Sequence, residues 1–157
     1  MSQRAGRPNH RIAPIDESTL KFLQALWRME HALERASKRM EDAIGISGPQ
    51  RFALRLIALE PGIGAADLAA KLHLHPSTIT GVIQRLAAGG YIVREWDAAD
   101  RRRVRLRVTA SGQRINRPSR GGTVEHAVRN TLAKSDVRQR NAALNVLRQF
   151  ANELMKL

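Results

Sequence analysis

The sequence contains no cysteine and few carboxylates. Without cysteine, disulfides, thiol-based redox sensing and cysteine-ligated zinc are excluded. Only 14 Asp and Glu stand against 27 Lys and Arg among 157 residues, so the formal net charge is +13. A balance this basic indicates a polyanionic partner, either nucleic acid or an anionic membrane surface.

Long apolar runs are also missing. No stretch approaches the ~18 apolar residues that a membrane-spanning helix needs, and the N-terminal stretch MSQRAGRPNHRIAP lacks the apolar centre of a signal peptide. We therefore expect a cytoplasmic protein with no membrane partner. The histidines follow no recognised metal motif, and neither a Ser-His-Asp arrangement nor a phosphate-cradling glycine loop is present. We expect no metal, no cofactor and no enzymatic activity.

Residues 74–91, LHPSTITGVIQRLAAGGY, carry the most informative pattern. Pro76 suits the first position of a helix, and Gly89 and Gly90 end it. At about 100° per residue, one arc of this helix is apolar and should face a core, namely Ile79, Val82, Ile83 and Leu86. The opposite arc is short and uncharged, with Ser77, Gly81, Gln84 and Ala88 flanked by Thr80 and Arg85. Such an arc fits a DNA major groove, although it fits a small, polar surface helix equally well.

The segment that follows favours DNA. Residues 91–96, YIVREW, predict a strand, and residues 104–108, VRLRV, alternate apolar and basic residues as a half-buried strand does. The tip between them, DAADRRR, carries turn-forming Asp and three arginines, for which a merely solvated loop is the alternative. A helix, a strand, a basic tip and a second strand form a winged helix-turn-helix, with the helix in the major groove and the hairpin on the neighbouring backbone or minor groove.

Residues 68–112, LAAKLHLHPSTITGVIQRLAAGGYIVREWDAADRRRVRLRVTASG, resemble the MarR family of bacterial transcriptional regulators. Asp100, Arg102, Leu106, Val108 and Thr109 are similar to the wing pattern of that family. The resemblance implies that Asp100 and Arg102 stand at paired positions, so that Asp100 stabilises the wing. His75 departs from the family, in which Ser or Asp more often precedes the recognition helix.

Helices are predicted on both sides of this motif. A helix over residues 16–43, capped by Asp16 or Ser18, carries two neighbouring apolar stripes and should be buried on two sides. The next begins at Ser47 with a capping box, and its core face is predicted as Phe52, Leu56, Ile57 and Leu59. After the wing, Thr109 can cap a helix that Pro118 and Gly121–Gly122 kink or break, and Ser135 can cap the last helix.

These patterns predict a mainly α fold with a small β-hairpin wing, an α+β arrangement of a winged helix-turn-helix and a helical dimerisation domain. We expect a mobile basic arm at residues 1–15, a dimerisation helix at 16–46, the DNA-binding domain at 47–109 and C-terminal dimerisation helices at 110–157. The arm carries Gly6-Arg7-Pro8, which is faintly similar to arms that lie in the DNA minor groove, but a tail without contacts fits it better. The resemblance agrees that the first helix belongs to a dimer interface.

The predicted function is sequence-specific DNA binding by a homodimer that regulates transcription, most simply as a repressor. The residues expected to face the groove are Ser77, Thr78, Thr80, Gly81 and Gln84, and those expected on phosphates or in the minor groove are Arg85, Arg101, Arg102 and Arg103. A non-specific architectural DNA-binding protein without a ligand is the alternative, although non-specific binding rests mainly on Lys and Arg.

The resemblance also implies a small-molecule effector. Regulators of this family are commonly released from DNA by aromatic acids or phenolic compounds, which bind where the dimerisation helices meet the DNA-reading domain. In this chain, that junction should involve the first helix and the helix that starts at Ser47. The candidate ligand-binding residues are Trp27, His31 and Arg51, as an aromatic wall, a polar group and a cation. Their alternatives are a core residue, a surface residue and a contact to the DNA backbone.

Overall fold

The computed structural model describes residues 15–97, 100, 103–117 and 122–157. The chain divides into two compact units, residues 1–32 and 33–157. In the first unit, the described part is a short lead-in and the beginning of helix α1, which spans Glu17–Ile44. The predicted N-terminal arm lies outside the described residues except for Ile15.

Asp16 caps α1. Its carboxylate accepts hydrogen bonds from the Thr19 N–H at 2.9 Å and from the hydroxyls of Ser18 and Thr19 at 2.5 and 2.8 Å. These bonds, the one from Ser18 first, hold the pKa of Asp16 well below its usual range. Asp16 rather than Ser18 is therefore the cap. Apolar side chains of this stretch are exposed in the single chain, among them Leu20, Phe22, Trp27 and Met29.

The second unit contains the rest of the chain, including the end of α1 at Ile44. Its further elements are α2 (Gly48–Leu59), α3 (Ala65–Leu72), α4 (Pro76–Ala88), β1 (Ile92–Trp96), β2 (Val104–Val108), α5 (Ala110–Asn116), α6 (Val124–Ala133) and α7 (Val137–Leu154). The strands pair antiparallel, with Ile92 opposite Val108 and Trp96 opposite Val104. The predicted mainly α fold with a small hairpin is confirmed.

One apolar core holds the helix-turn-helix and the hairpin together. Leu54 and Ile57 of α2, Leu68 of α3, Leu86 of α4 and Leu106 of β2 are among its buried members. All come from elements whose apolar residues follow the period of their own helix or strand. The core therefore positions α4 and the hairpin relative to each other.

The predicted core face of α2 was partly wrong. Ile57 is buried, but Phe52 and Leu59 are exposed, and the helix instead buries Arg51 and Gln50. Gln50 accepts a hydrogen bond from the Ser47 N–H at 3.0 Å, which is one half of the predicted capping box. Arg51 can be buried because its guanidinium donates hydrogen bonds to a carboxylate and to two backbone carbonyls.

Pro118 and Gly121, which were predicted to interrupt the helix, lie outside the described residues, but the helix is divided where the prediction placed its kink or break. Thr109 caps α5 by accepting from the Gly112 N–H at 3.0 Å, α5 ends at Asn116, and α6 begins only at Val124. The last helix differs from its prediction at the cap. Asp136, not Ser135, accepts from the Gln139 N–H at 2.8 Å, while the Ser135 hydroxyl donates back to the Thr131 carbonyl. A carboxylate suits this position better, since it also carries the negative charge that a helix N-terminus favours.

Gly112 provides a test of this packing. A Cβ atom added there would lie 2.0 Å from the Tyr91 carbonyl oxygen and 2.7 Å from Cγ1 of Val108. Gly112→Ala should therefore push α5 away from the strands and lower the free energy of unfolding by ~3 kcal/mol, measured by chemical denaturation. Gly81→Ala is the matched control, because its Cβ meets nothing closer than 3.9 Å, and it should raise stability by ~1 kcal/mol through helix propensity. Equal stability of the Gly112→Ala variant and the parent would contradict this close approach.

Candidate nucleic-acid interface

Helix α4 has the two faces that its sequence predicts. The predicted core residues Ile79, Val82, Ile83 and Leu86 are buried, at 2%, 8%, 4% and 0% exposure. The opposite face is exposed at Ser77, Thr78, Thr80, Gln84 and Arg85, and half-buried at Gly81. The space beside Gly81 is open, since a Cβ atom added there would lie no closer than 3.9 Å to another side chain, that of Arg85. The exposed face is thus narrow, polar and nearly uncharged.

The start of α4 is organised by its histidine cap. Nδ1 of His75 accepts a hydrogen bond from the Ser77 N–H at 3.3 Å and lies 2.8 Å from the Ser77 hydroxyl. The Thr80 hydroxyl donates to the Pro76 carbonyl at 2.8 Å. An imidazole nitrogen without a proton can therefore serve where Ser or Asp is more usual.

These bonds determine what the exposed face offers to a base. The Thr80 hydroxyl donates its hydrogen bond to the backbone, so towards a base it can act only as an acceptor. Gln84 makes no hydrogen bond within the described part of the chain, so its amide keeps both a donor and an acceptor. That combination matches the adenine edge in the major groove.

A sharp turn presents α4 at an angle to α3. His73 adopts a left-handed conformation with φ of 52°, and the Leu74 N–H donates to the Ala69 carbonyl at 3.0 Å. Leu74 then packs against the core. The left-handed conformation of His73 keeps the turn short, although glycine adopts this conformation more readily than other residues.

The base of the hairpin is fixed to the helices. The Gly62 N–H donates to the Leu106 carbonyl at 2.9 Å, and the Leu106 N–H donates to the Ile63 carbonyl at 3.1 Å. The Arg105 guanidinium reaches the Gly62 carbonyl at 3.0 Å and the Asp97 carboxylate at 2.7 Å. Arg105 therefore joins both strands of the hairpin to the segment between α2 and α3.

The sequence analysis missed this Asp97–Arg105 pair. Both residues were visible as opposite charges near facing strand ends, where diagonal neighbours in an antiparallel pair come within reach. Glu95 and Arg107 form a similar pair with 2.7 Å between carboxylate oxygen and Nε. These two ion pairs join the two sides of the hairpin, in addition to the stabilisation predicted for Asp100.

At the tip, Asp100 lies beside Arg103. The Arg103 N–H donates to the Asp100 carbonyl at 2.9 Å, and Nε of Arg103 lies 3.3 Å from the Asp100 carboxylate. The Arg103 side chain remains 70% exposed. Arg101 and Arg102 lie outside the described residues, so their DNA-contacting roles and the pairing of Arg102 with Asp100 stay predictions.

Arg51, a candidate ligand-binding residue, is 1% exposed. Its guanidinium donates to the carbonyls of Ile115 and Arg117 at 2.6 and 3.1 Å and to the Glu125 carboxylate at 3.0 Å, which also accepts from Arg55 at 3.0 Å. Partial burial opposes the ionisation of Glu125, but hydrogen bonds from its own backbone and from Arg55 and the charge of Arg51 lower its pKa. Two N–H groups of the guanidinium are not used by these bonds, but at 1% exposure Arg51 could meet a ligand carboxylate only if neighbouring residues moved.

The other two ligand candidates belong to the first unit. Trp27 and His31 are both exposed there, and a spacing of four residues puts them on one face of α1. Their role in ligand binding stays a prediction.

The second unit contains an apolar groove of about 930 Å³. It is lined by Leu33, Ser37, Met40, Gly48, Pro49, Phe52, Leu72, Leu74, Val124, Glu125, Val128, Arg129, Leu132, Ala133 and Arg140. The exposed Phe52 thus forms part of the groove wall. Nε of Arg140 is buried and has no hydrogen-bond partner among the described residues. The groove thus combines apolar walls with an unsatisfied cationic donor and with the carboxylate of Glu125, whose Oε2 is likewise buried without a hydrogen-bond partner among the described residues.

The described residues form neither a cluster suited to a metal site nor a membrane-spanning helix. No three histidine or acidic side chains are grouped there as they would be around a metal ion. None of the described helices is long and apolar enough to cross a membrane.

Comparison with known proteins agrees with this geometry. Residues 46–104 match the model of the MarR family. The chain is 28% identical over 89 residues to the HTH-type transcriptional regulator TtmR of Methylorubrum extorquens (strain PA1), a match that covers 57% of this chain and 46% of that protein. The chain therefore spans about half the length of this relative.

Solved structures show the same fold. The PcaV transcriptional regulator from Streptomyces coelicolor, in complex with its natural ligand, is 23% identical with a TM-score of 0.68 over 90% of this chain and 98% of PcaV. The S. aureus MepR–DNA complex is 17% identical with a TM-score of 0.67 over 90% of this chain and 99% of MepR. At these identities the similarity establishes the winged helix fold.

Proposed function

Because residues 46–104 match the model of the MarR family, we propose that this chain is a regulator of that kind: a homodimeric, sequence-specific repressor that a small molecule releases from DNA. The observation that carries the proposal is the exposed face of α4. It is polar and nearly uncharged, and it lies beside an arginine-rich hairpin that Arg105 joins to the segment between α2 and α3. A face built this way suits base recognition, because non-specific binding relies on Lys and Arg.

In the proposed complex, α4 enters the major groove. Ser77, Thr78, Thr80, Gly81 and Gln84 face base edges there, and Arg85 and the wing arginines, Arg101, Arg102 and Arg103, hold phosphates or the minor groove. S. aureus MepR, which has the same fold, was solved in a complex with DNA, and this supports DNA binding by the present chain. Two copies of α4 would lie about one turn of DNA apart, ~34 Å, and would read a pseudo-palindrome.

The proposal that the protein is a homodimer rests on the C-terminal helices. Neither α6 nor α7 buries any residue within the single chain, although α7 exposes Leu144, Leu147 and Leu154 at the spacing of one helical face. A helix with an apolar face needs a surface to cover it. A second copy of the same chain supplies an identical apolar face and therefore an isologous interface.

The effector is proposed to bind in the apolar groove. Its volume falls in the range typical of ligand sites, roughly 300–1,000 Å³, and the buried Nε of Arg140 can donate to a carboxylate. An aromatic or phenolic acid satisfies both features. PcaV was solved with its natural ligand, and it shares this fold.

The groove also touches the reading unit directly. Leu72 and Leu74 line it, and they flank the turn that leads into the cap of α4. A ligand releases DNA only if it binds the conformation without DNA more tightly. A ~100-fold preference corresponds to about 2.7 kcal/mol of coupling, and DNA must weaken ligand binding by the same factor.

The first prediction from this function concerns the dimer. Sedimentation in DNA-free buffer at micromolar concentration should give twice the chain mass of 17.5 kDa. Leu147→Glu should convert the protein to monomers, because a charge would enter the apolar interface without a partner. Arg148→Glu, a change to an exposed neighbour on α7, is the control. A folded monomer of the parent chain would contradict the homodimer and the palindrome that depends on it.

The second prediction separates base reading from phosphate binding, with an operator selected from random DNA. Gln84→Ala should lower affinity for the operator by ~1–3 kcal/mol and hardly change affinity for random DNA. Arg103→Ala should weaken both and make the salt dependence shallower by about one unit. Fluorescence anisotropy titrations measure both effects. Equal affinity of the parent for operator and random DNA would instead favour an architectural protein.

The third prediction concerns release. A panel of aromatic carboxylic acids, scored by dissociation of labelled operator, should contain a releasing compound. Arg140→Gln should raise the concentration needed about tenfold or more, since it removes a charge-assisted hydrogen bond. Arg138→Gln, an exposed arginine outside the groove lining, should respond as the parent does. Release that is unchanged in Arg140→Gln would place the ligand elsewhere.

A further inference from the structure

Trp96 is exposed where the pattern of its strand would bury an apolar residue. It ends β1 opposite Val104, on the face of the hairpin that carries Ile92 and Leu106 into the core. Ile92 and Leu106 are 2% and 1% exposed, whereas Trp96 is 70% exposed. The core ends before the strand does, so a large indole projects beyond it on the side of the hairpin that faces the helices.

The charges around Trp96 favour an anionic partner. Residues 92–108 contain six arginines and three carboxylates. The carboxylates of Glu95, Asp97 and Asp100 lie against Arg107, Arg105 and Arg103. Three arginine charges are left over, so the hairpin is positively charged overall and its charge complements that of a polyanion.

Arg94 adds a specific cation beside the indole. It lies two residues before Trp96 on the same strand, so both side chains belong to the same face. Arg94 is exposed and makes no ion pair or hydrogen bond with the described residues. An apolar ring next to an available guanidinium matches the sugar–phosphate chain of DNA, in which apolar sugar faces alternate with phosphates.

We propose that Trp96 packs its indole against a deoxyribose of the DNA strand that passes between α4 and the wing, and that Arg94 binds the adjacent phosphate. This inference rests on the proposed DNA binding. It adds an apolar contact to a wing whose other expected contacts are all arginines. A second protein is a poorer occupant, because the surrounding surplus charge is of one sign.

The two contacts have different salt dependence. A guanidinium that neutralises a phosphate releases counterions, whereas packing of an indole on a sugar releases none. Trp96 should therefore contribute affinity without contributing to the slope of log affinity against log salt concentration. Arg94 should contribute to both.

The experiment compares three variants on the selected operator at several salt concentrations. Trp96→Ala should weaken binding about tenfold, from the loss of part of the apolar burial of an aromatic side chain, with an unchanged salt slope. Arg94→Gln should make the slope shallower by about one unit. Val93→Ala is the matched control, because Val93 is an exposed apolar residue on the opposite face of the same strand, and it should bind as the parent does.

Fluorescence provides a second measurement that needs no change at Trp96. The sequence has two tryptophans, so Trp27→Phe leaves Trp96 as the single reporter. Operator DNA should shift its emission to shorter wavelength and protect it from quenching by acrylamide, a neutral quencher that DNA does not repel. The exposed indole of the free protein should be quenched efficiently.

The outcomes separate this inference from the function on which it rests. Operator binding by the parent with Trp96→Ala equal to Val93→Ala, and unprotected Trp96 fluorescence, would overturn the Trp96 contact and leave DNA binding intact. A loss of affinity in Trp96→Ala that also lowers the salt slope would overturn the sugar contact. A parent that binds no DNA would overturn both proposals.

Discussion

The backbone pairing of Leu106 with Ile63 is the constraint on which the rest of the DNA-reading unit depends. Leu106 lies opposite Arg94 of β1 on one side and forms hydrogen bonds with the segment between α2 and α3 on the other. Its side chain is buried in the same core as the apolar face of α4. One residue thereby sets the distance between the recognition helix and the wing. Arg105, its neighbour in sequence, ties the same three segments together through Asp97 and the Gly62 carbonyl.

Local pattern was sufficient to predict the elements of this unit. The bounds of β2 and of α4 agree with the sequence because alternation, an N-terminal proline and two terminal glycines act within a few residues of each other. The exposed arc of α4 was predicted for the same reason. The cap at Thr109 followed from its place directly after a strand.

Long-range contacts explain what could not be predicted. Arg51 bonds to Glu125, 74 residues later in the chain. No residue near Arg51 in the sequence indicates that partner. With this cation buried, the neighbouring Phe52 lies in the groove wall, and the predicted core face of α2 was therefore partly wrong. The Asp97–Arg105 pair was nearer in sequence, but recognising it required the register of the hairpin. Exposure of Trp96 likewise depends on where the core ends.

Arg51 also changes how the C-terminal part of the chain is connected. It bonds to the last carbonyls of the α5 region and to Glu125 in the first turn of α6. A side chain of α2 thus holds both ends of the break, and the peptide between them does not have to set the register of α6. The start of α6 can therefore keep its place against α2 when the chain between the two helices changes in length, because the bonds made by Arg51 involve residues on either side of that stretch.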